Sequence, residues 1–278
     1  MKNFFFSLHH IPITVITDCR DENAKGRLIS RLASYLPNKQ INFIGVKNDI
    51  EASFCLLDTL DAIENRHCII VVNIAPRTNE KRWDNGAPFA EFLFKNARVF
   101  ATLNNGVFRL LQDFLKEDLQ ISVYNAPKVI PYLGVKLESQ YRVMSSQFRS
   151  FDFLPKLLVA RLKGKELPSE KWTVEKSQEI IHLVTFIDNF GNVKTNMKKN
   201  HDDPYLIFCA SYNVKIGERS FNMLFHQHMK DVPDGNLSIV VGSSGLGENR
   251  LLEIIKKGDS AVEVLQCKPG DRIAISRG

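Results

Sequence analysis

The sequence predicts a mixed α/β protein: a mostly parallel N-terminal sheet flanked by helices, followed by a smaller, β-rich, barrel-like C-terminal domain. Apolar runs alternate with amphipathic segments over residues 12–125, as in strand–helix–strand units. Residues 164–176 have the Gly, Pro, Ser and charge content of a linker, and short strand-like runs with turns follow. We therefore place the N-terminal domain at residues 1–168 and the C-terminal domain at residues 169–278.

The N-terminal elements follow one another in regular order. Apolar runs predict strands, and amphipathic stretches with capping residues predict helices. The predicted strands cover residues 13–18, 41–46, 68–73, 99–103 and 121–124, and the predicted helices cover residues 24–35, 49–62, 107–115 and part of 141–163.

Two of these strands end in polar residues, Asp18 and Asn73. In open α/β sheets ligands bind at the carboxyl ends of strands, so Asp18 is placed to bind a ribose diol. Capping of the following helix is an equally good interpretation of Asp18. Residues 74–89, after Asn73, form a loop too long and too rich in charge, Pro and Gly for a plain connection, which is typical of functional loops.

Two short motifs stand out in the C-terminal half. The run Ile187-Asp188-Asn189-Phe190-Gly191-Asn192-Val193-Lys194-Thr195-Asn196 follows an apolar strand, and its glycine allows close approach of a ligand. Gly242-Ser243-Ser244-Gly245 follows another strand, and its N–H groups and hydroxyls suit a carboxylate or phosphate. Taken alone, each motif is also an ordinary turn.

Composition narrows the functional class. The chain has 278 residues, of which 44% are hydrophobic and 24% charged, and this composition excludes disordered and fibrous classes. A net charge of +6 without a basic patch argues against nucleic-acid binding, and the absence of a long apolar run argues against a membrane span. Five scattered cysteines without metal-like spacing predict a cytoplasmic protein with no metal site.

The order of motifs resembles a known family. Upstream lies Asn104-Asn105-Gly106-Val107, and the chain ends with Gly258-Asp259-Ser260-Ala261 and Pro269-Gly270-Asp271-Arg272-Ile273. Together with the two C-terminal motifs, these resemble the S-adenosylmethionine (SAM) hydroxide adenosyltransferases, relatives of the fluorinases and chlorinases. The resemblance covers about residues 180–278 and, in collinear order, residues 12–165.

This resemblance implies a homotrimer that binds SAM between the N-terminal domain of one subunit and the C-terminal domain of its neighbour. It implies displacement of methionine from the ribose C5′ carbon, with SAM or adenosine as the ligand and no further cofactor. Six residues match the family's ligand-binding positions: Asp18 at the ribose hydroxyls, Asp188 at the methionine ammonium, Phe190 and Asn192 at the adenine, and Ser243 and Ser244 at the methionine carboxylate.

The residues at the water-activating positions depart from the family pattern of Asp, Arg and His. Those positions fall at Asn73, Glu80 and Phe148, and neither Asn nor Phe can act as a base. Arg77 and Arg82 carry positive charge nearby in the sequence, so Asn73, Arg77 and Arg82 are the candidate catalytic residues.

Three interpretations therefore stay open. The first is hydrolysis of SAM to adenosine and methionine by a rearranged site. The second is a non-catalytic module that binds SAM or adenosine. The third is a different adenosyl or nucleotide reaction in which the arginines bind a phosphate.

Overall fold

The structure is a computed structural model that describes residues 11–75, 86–146, 148–177, 179, 181–199 and 207–278. The chain divides into two compact units. The first comprises Met1–Leu56 and Ala62–Lys176, and the second comprises Leu57–Asp61 and Ser177–Gly278. The domain boundary after residue 168 stays a prediction.

The first unit contains a sheet and its covering helices. In chain order its elements are β1 (Ile13–Thr17), α1 (Glu22–Tyr35), β2 (Ile41–Gly45), α2 (Asp49–Ala62, whose segment Leu57–Asp61 belongs to the second unit), β3 (Cys68–Asn73), β4 (Phe89–Phe94), β5 (Ala97–Thr102), α3 (Asn105–Phe114), β6 (Leu119–Tyr124), α4 (Ala126–Val129), α5 (Leu137–Ser145), α6 (Arg149–Asp152), α7 (Leu154–Leu162) and β7 (Glu170–Val174), with a 3₁₀ turn at Ile130–Leu133.

The seven strands of this sheet lie in the order β2-β1-β3-β5-β4-β6-β7. Strands β2, β1, β3 and β5 are parallel, and β4 and β7 run against their neighbours. The predicted α/β class with a mostly parallel N-terminal sheet is therefore confirmed. The central strand β3 is buried along its whole length, as its uninterrupted apolar sequence predicts for a sheet covered on both faces.

Two of the longer helices, α1 and α3, begin at residues whose side chains cap them. Asp21 caps α1 by accepting a hydrogen bond from the Ala24 N–H, at 2.9 Å, so the cap is Asp21 and not Asp18. Asn104 caps α3 by accepting from the Gly106 N–H, at 2.9 Å. Leu28 and Leu32 of α1 lie on one face of the helix and are buried in the core of the first unit.

Two N-terminal segments differ from the prediction. The sequence predicts one loop over residues 74–89, but β4 begins at Phe89 and pairs antiparallel with β5. Its sequence, Phe-Ala-Glu-Phe-Leu-Phe, is strand-like, and only Lys95 and Asn96 separate its end from β5. Helical structure also begins earlier than predicted, with α4 at Ala126 and α5 at Leu137.

A buried charged network stabilises β4 against its surroundings. The carboxylate of Glu91 contacts Arg98 Nε at 2.9 Å and Arg161 Nε at 2.7 Å. It also accepts a hydrogen bond from the Tyr124 hydroxyl, at 2.7 Å. Burial and the neighbouring Glu91 raise the pKa of Tyr124, so the phenol stays protonated and donates.

The second unit is built on a second seven-stranded sheet. Its elements are β8 (Val184–Ile187), β9 (Val193–Lys198), β10 (Ser211–Ile216), β11 (Arg219–His226), β12 (Leu237–Leu246), β13 (Asn249–Lys256), α8 (Ala261–Leu265) and β14 (Ile273–Arg277), with a 3₁₀ turn at Met229–Asp231. The strand order is β14-β10-β11-β12-β13-β9-β8, and the β11–β12 pair is parallel while the other pairs are antiparallel. This curled, half-barrel sheet confirms the predicted β-rich C-terminal part.

Within the described ranges, no helix is long and apolar enough to cross a membrane.

Candidate functional site

The carboxyl edge of the first sheet brings Thr17, Asp18 and Asn73 together. Thr17 and Asn73 are register partners at the ends of the parallel strands β1 and β3. The Asp18 N–H donates to the Asn73 carbonyl at 3.3 Å, and both Asp18 carboxylate oxygens lie 3.2 Å from the Ala75 N–H. Asp18 is therefore oriented by the backbone that follows β3, at the edge where α/β sheets bind ligands.

Asn73 is buried, and its side-chain amide is engaged. Its Nδ2 donates to Thr17 Oγ1 at 3.0 Å, and the same hydroxyl oxygen accepts from the Cys19 N–H at 3.1 Å. A carboxamide neither accepts nor releases a proton at neutral pH. Asn73 can therefore hold a water molecule by hydrogen bonding but cannot deprotonate it.

The other predicted catalytic residues, Arg77 and Arg82, lie outside the described residues, as does Glu80. Phe148, at the position of the family's histidine, is exposed, and Arg149 follows it at the start of α6. The Arg149 guanidinium lies beside Gly86, where a Cβ would be 3.8 Å from the guanidinium Cζ. Burial lowers the pKa of Arg149, which still leaves a guanidinium charged at neutral pH.

In the second unit, Asp188 organises the turn between β8 and β9. Its Oδ1 accepts hydrogen bonds from the N–H groups of Phe190 and Asn192, at 2.9 and 3.0 Å, and its Oδ2 accepts from Asn192 Nδ2 at 3.0 Å. These bonds form an Asx-type turn that sets the direction of the carboxylate. Asp188 and Asn192, predicted separately as ligand-binding residues, thus bond to each other.

Phe190 and Gly191 complete this turn. The Phe190 side chain is 72% exposed although it is large and apolar. Gly191 has φ +80°, and a Cβ there would meet Ser260 Oγ at 2.2 Å, so only glycine fits. The Val262 N–H donates to the Gly191 carbonyl at 2.9 Å, which joins this turn to α8.

Asn196, which follows in the same motif, is used for structure. Its Oδ1 accepts from the Leu183 N–H at 2.7 Å, and its Nδ2 donates to the Ile181 carbonyl at 2.8 Å. Both ends of the amide therefore hold the strand before Asp188.

Ser243 and Ser244 lie in strand β12, which continues to Leu246 with an irregularity between Val241 and Gly245, and not in a separate turn as predicted. Gly242 leaves room for the Glu253 side chain, whose Cδ is 3.1 Å from where a Cβ would lie. At Gly245, with φ +146°, a Cβ would lie 2.2 Å from the Asn249 carbonyl oxygen. The two glycines thus serve the packing of β12 against β13.

The donors that the sequence predicts for a ligand carboxylate bond to a carboxylate of the chain, that of Asp58. Within the second unit, Ser244 Oγ donates to Asp58 Oδ2 at 2.8 Å and the Gly245 N–H lies 3.4 Å from Asp58 Oδ1. Burial is the largest influence on Asp58 and raises the pKa of its carboxyl, although both hydrogen bonds act in the opposite direction. Asp61 in turn accepts from the Gly247 N–H at 2.8 Å and from Arg250 Nη1 at 2.7 Å.

One ion pair beside Asp188 was not anticipated from the sequence. Lys194 and Glu253 face each other across β9 and β13, and Lys194 Nζ lies 2.5 Å from Glu253 Oε2 and 3.8 Å from Asp188 Oδ2. The two residues lie 59 positions apart along the chain. The register of β9 and β13 brings them together, and the sequence does not reveal that register. In the described part of the chain, no group of three or more His, Cys, Asp and Glu side chains is arranged to hold a metal ion.

Comparison with known proteins agrees with the C-terminal motifs. Residues 182–274 match the family model of the SAM hydroxide adenosyltransferase C-terminal domain. No curated protein matches the sequence.

Two solved structures share the fold. An uncharacterized conserved protein from Thermotoga maritima matches with a TM-score of 0.69 and 19% identity, covering 95% of this chain and 99% of that one. A conserved hypothetical protein from Thermus thermophilus matches with a TM-score of 0.56 and 14% identity, with the same coverage. The predicted resemblance to the SAM hydroxide adenosyltransferases is thus confirmed over residues 182–274, where the family model of their C-terminal domain matches.

Proposed function

We propose that this protein binds SAM and transfers its adenosyl group to water, releasing adenosine and methionine. The observation that carries the proposal is the Asp188–Asn192 turn. There a carboxylate oriented by three hydrogen bonds stands two residues from a largely exposed aromatic ring, inside the segment that matches the family domain.

The two groups suit two parts of SAM. A fixed carboxylate forms charge-assisted hydrogen bonds to the ammonium of the methionine moiety, and an exposed ring stacks on adenine. Asp18, oriented by the Ala75 N–H in the first unit, is the proposed partner of the ribose hydroxyls. Of the serines, Ser243 is exposed whereas Ser244 already holds Asp58, so Ser243 is the better candidate for the ligand carboxylate.

The reaction does not require a general acid. The water oxygen forms a bond to C5′ while the C5′–S bond breaks, and the electron pair moves to sulfur, which leaves as a neutral thioether. The proton of the water passes to solvent. The protein must orient the water in line with the C5′–S bond and exclude competing water. Asn73 is the proposed orienting residue, because its amide is fixed by Thr17.

A second candidate function is binding of SAM or adenosine without turnover. The specific observation in its favour is again Asn73, because an amide stands where the resemblance places the water-activating aspartate. Loss of a general base typically costs a factor of about 10² to 10⁴ in rate, which is enough to turn an enzyme into a binding module.

One experiment separates these functions. The purified protein is incubated with SAM in water enriched in ¹⁸O, and the products are resolved by liquid chromatography with mass detection. We expect adenosine carrying ¹⁸O at the 5′ oxygen, formed in proportion to protein concentration. Asp18→Ala and Asp188→Ala should abolish it, whereas Asp234→Ala, a matched change at an exposed aspartate that pairs with Lys257, should not.

The negative outcomes also differ from each other. If no adenosine forms but SAM raises the melting temperature, the binding module is correct. If neither SAM nor adenosine at millimolar concentration changes the melting temperature, both functions fail, since a ligand of the native state must stabilise it by mass action.

The same proposal includes the assembly that the resemblance implies, a homotrimer in the cytoplasm. Light scattering should give about three times the 31.7 kDa chain mass, and a monomeric mass at assay concentration would remove the homotrimer from the proposal.

A further inference from the structure

The Lys194–Glu253 ion pair lies next to Asp188, the carboxylate that we assign to the ligand. The two side chains are cross-strand partners on β9 and β13, and they are 12% and 7% exposed. Opposite charges at facing positions stabilise a pair of strands. Lys194 also lies 3.8 Å from Asp188 Oδ2, and the Asp188 side chain is partly exposed, at 18%.

The distances show which of the two carboxylates the lysine contacts. Lys194 Nζ is hydrogen-bonded to Glu253 Oε2 at 2.5 Å but stays 3.8 Å from Asp188 Oδ2, beyond hydrogen-bonding distance. Within the described residues, Oδ2 accepts one hydrogen bond, from Asn192, and a carboxylate oxygen has room for two. The lysine is thus hydrogen-bonded to Glu253 and leaves an acceptor position on Asp188 Oδ2 for another donor.

The net charge of the Asp188, Lys194 and Glu253 side chains depends on Glu253. Asp188 and Lys194 alone would sum to zero, and an ammonium ligand would compete with the lysine for the same oxygen. With Glu253 included, the three side chains carry one net negative charge. Asp58 also lies near enough to interact with Lys194, but it is held by Ser244 and Gly245 and is the same in every variant compared below.

We propose that the Lys194–Glu253 pair is a specificity device: Glu253 neutralises Lys194 so that the Asp188 turn accepts a cationic group of the ligand, an ammonium. This inference rests on the proposed function, because it assigns a charge preference to the ligand site proposed there. Lys194 and Glu253 are positioning residues, since they act through Asp188 and not on the ligand.

Two ligands with the same adenosyl part test this preference. S-adenosylhomocysteine carries the ammonium and carboxylate of an amino acid, and 5′-methylthioadenosine lacks both while keeping adenine, ribose and a thioether. Dissociation constants for both are measured by calorimetry, and the ratio between them reports on the amino acid end alone. A change that merely loosens the sheet weakens both ligands and leaves the ratio unmoved.

We expect Glu253→Gln to weaken S-adenosylhomocysteine by about tenfold or more, the size of a lost charge-assisted hydrogen bond, and to leave 5′-methylthioadenosine within about twofold. Lys194→Met should not weaken S-adenosylhomocysteine. The double variant Lys194→Met/Glu253→Gln, which restores one net negative charge, should return the ratio to near the wild-type value. Glu170→Gln, which removes an exposed ion pair with Lys128, is the matched control.

The outcomes separate this inference from the proposed function. If wild type binds neither ligand, the proposed function has failed. If wild type binds both and the ratio is unchanged in Glu253→Gln, or is not restored in the double variant, the specificity role is wrong while the proposed function stands. Should Glu253→Gln not fold, the inference is decided by Glu253→Asp, which must keep the wild-type ratio, and by Lys194→Met, which must not lower the affinity for S-adenosylhomocysteine.

Discussion

The side-chain amide of Asn73 donates a hydrogen bond to the hydroxyl oxygen of Thr17, with 3.0 Å between Nδ2 and Oγ1. Both residues are buried at the carboxyl ends of adjacent parallel strands. The bond joins two neighbouring strands at the edge where a ligand is expected, and it fixes a neutral group at the position that the resemblance gives to a base. If the proposed hydrolysis takes place at this edge, we expect its rate to depend on this pair.

We predict that Asn73→Asp increases the rate of adenosine formation by about 10²-fold, the lower end of the gain from a general base. A carboxylate has nearly the shape of the amide, and Thr17 can turn its hydroxyl to donate to it, so the fold should persist. The measurement is the initial rate with SAM as a function of pH, which should rise as the carboxyl ionises. Asn73→Ala is the control and should give no gain; an unchanged rate in Asn73→Asp with unchanged SAM affinity would show that water activation is not limiting.

The Asp188 turn should not tolerate a side chain at Gly191. At this position φ is +80° and a Cβ would meet Ser260 Oγ at 2.2 Å, whereas at Gly217 φ is +59° and the space is open. Gly191→Ala and Gly217→Ala thus share the backbone cost of about 1–2 kcal/mol, and only the first adds a clash. We expect Gly191→Ala to lower the free energy of unfolding by about 2 kcal/mol more than Gly217→Ala, measured by urea denaturation. Equal losses of stability in the two variants would mean that Ser260 moves away from the added methyl group without lowering the free energy of unfolding.

Asp58 should make stability depend on pH. Burial raises the pKa of Asp58 in the folded state above its ordinary value of 3.8. Above pH 3.8, the Asp58 carboxyl is therefore protonated more often in the folded protein than in the unfolded chain. The Asp58 contribution to stability therefore falls with rising pH. Asp58→Asn removes this contribution, so the difference in free energy of unfolding, variant minus wild type, should become more positive from pH 4 to pH 7.

Ser244→Ala provides the reciprocal test of the same contact. Its hydroxyl donates to Asp58 at 2.8 Å, and a hydrogen bond to a charged acceptor is worth about 1.5–3 kcal/mol. The loss of stability should be largest at pH 7 and smaller at pH 4, where more of Asp58 is protonated. A loss that does not change with pH would indicate that the Asp58 carboxyl does not titrate in this range.

The sequence predicts most of the fold because its signals are local. The α2 helix and strand β3 have the predicted bounds, since Asn48 caps the start of α2 and an uninterrupted apolar run forms β3. Strand β4 escapes prediction because Phe89 lies at the end of a polar, Gly- and Pro-rich stretch, and a hairpin with two connecting residues leaves little turn signal. Short-range patterns cannot show that Phe89–Phe94 pairs with two strands at once.

The sequence predicts the turn around Asp188 but not the long-range contacts of the other candidate site residues. The turn around Asp188 and Gly191 depends on five consecutive residues, so the sequence alone predicts it, and the structure contains that turn. The partners of Ser244 and Lys194 are Asp58 and Glu253, which lie 186 and 59 residues away along the chain. Such pairs depend on strand register and packing. Sequence reasoning therefore assigns the donors of the Gly-Ser-Ser-Gly segment to a ligand carboxylate, whereas the Ser244 hydroxyl and the Gly245 N–H bond to the Asp58 carboxylate of the chain.

Phe190 should matter for ligand binding and not for stability. Its side chain is 72% exposed, so truncation removes almost no buried surface and the free energy of unfolding should stay within about 0.5 kcal/mol of wild type. Stacking of a base on an aromatic ring is worth about 1–3 kcal/mol, so Phe190→Ala should weaken both S-adenosylhomocysteine and 5′-methylthioadenosine about tenfold, because both carry adenine. Leu93→Ala, at an apolar side chain that is 64% exposed in the first unit, should change neither affinity. Calorimetric titration of the two variants decides the matter: unchanged affinity for 5′-methylthioadenosine in Phe190→Ala would place the adenine elsewhere, and a loss confined to S-adenosylhomocysteine would assign Phe190 to the amino acid end of the ligand.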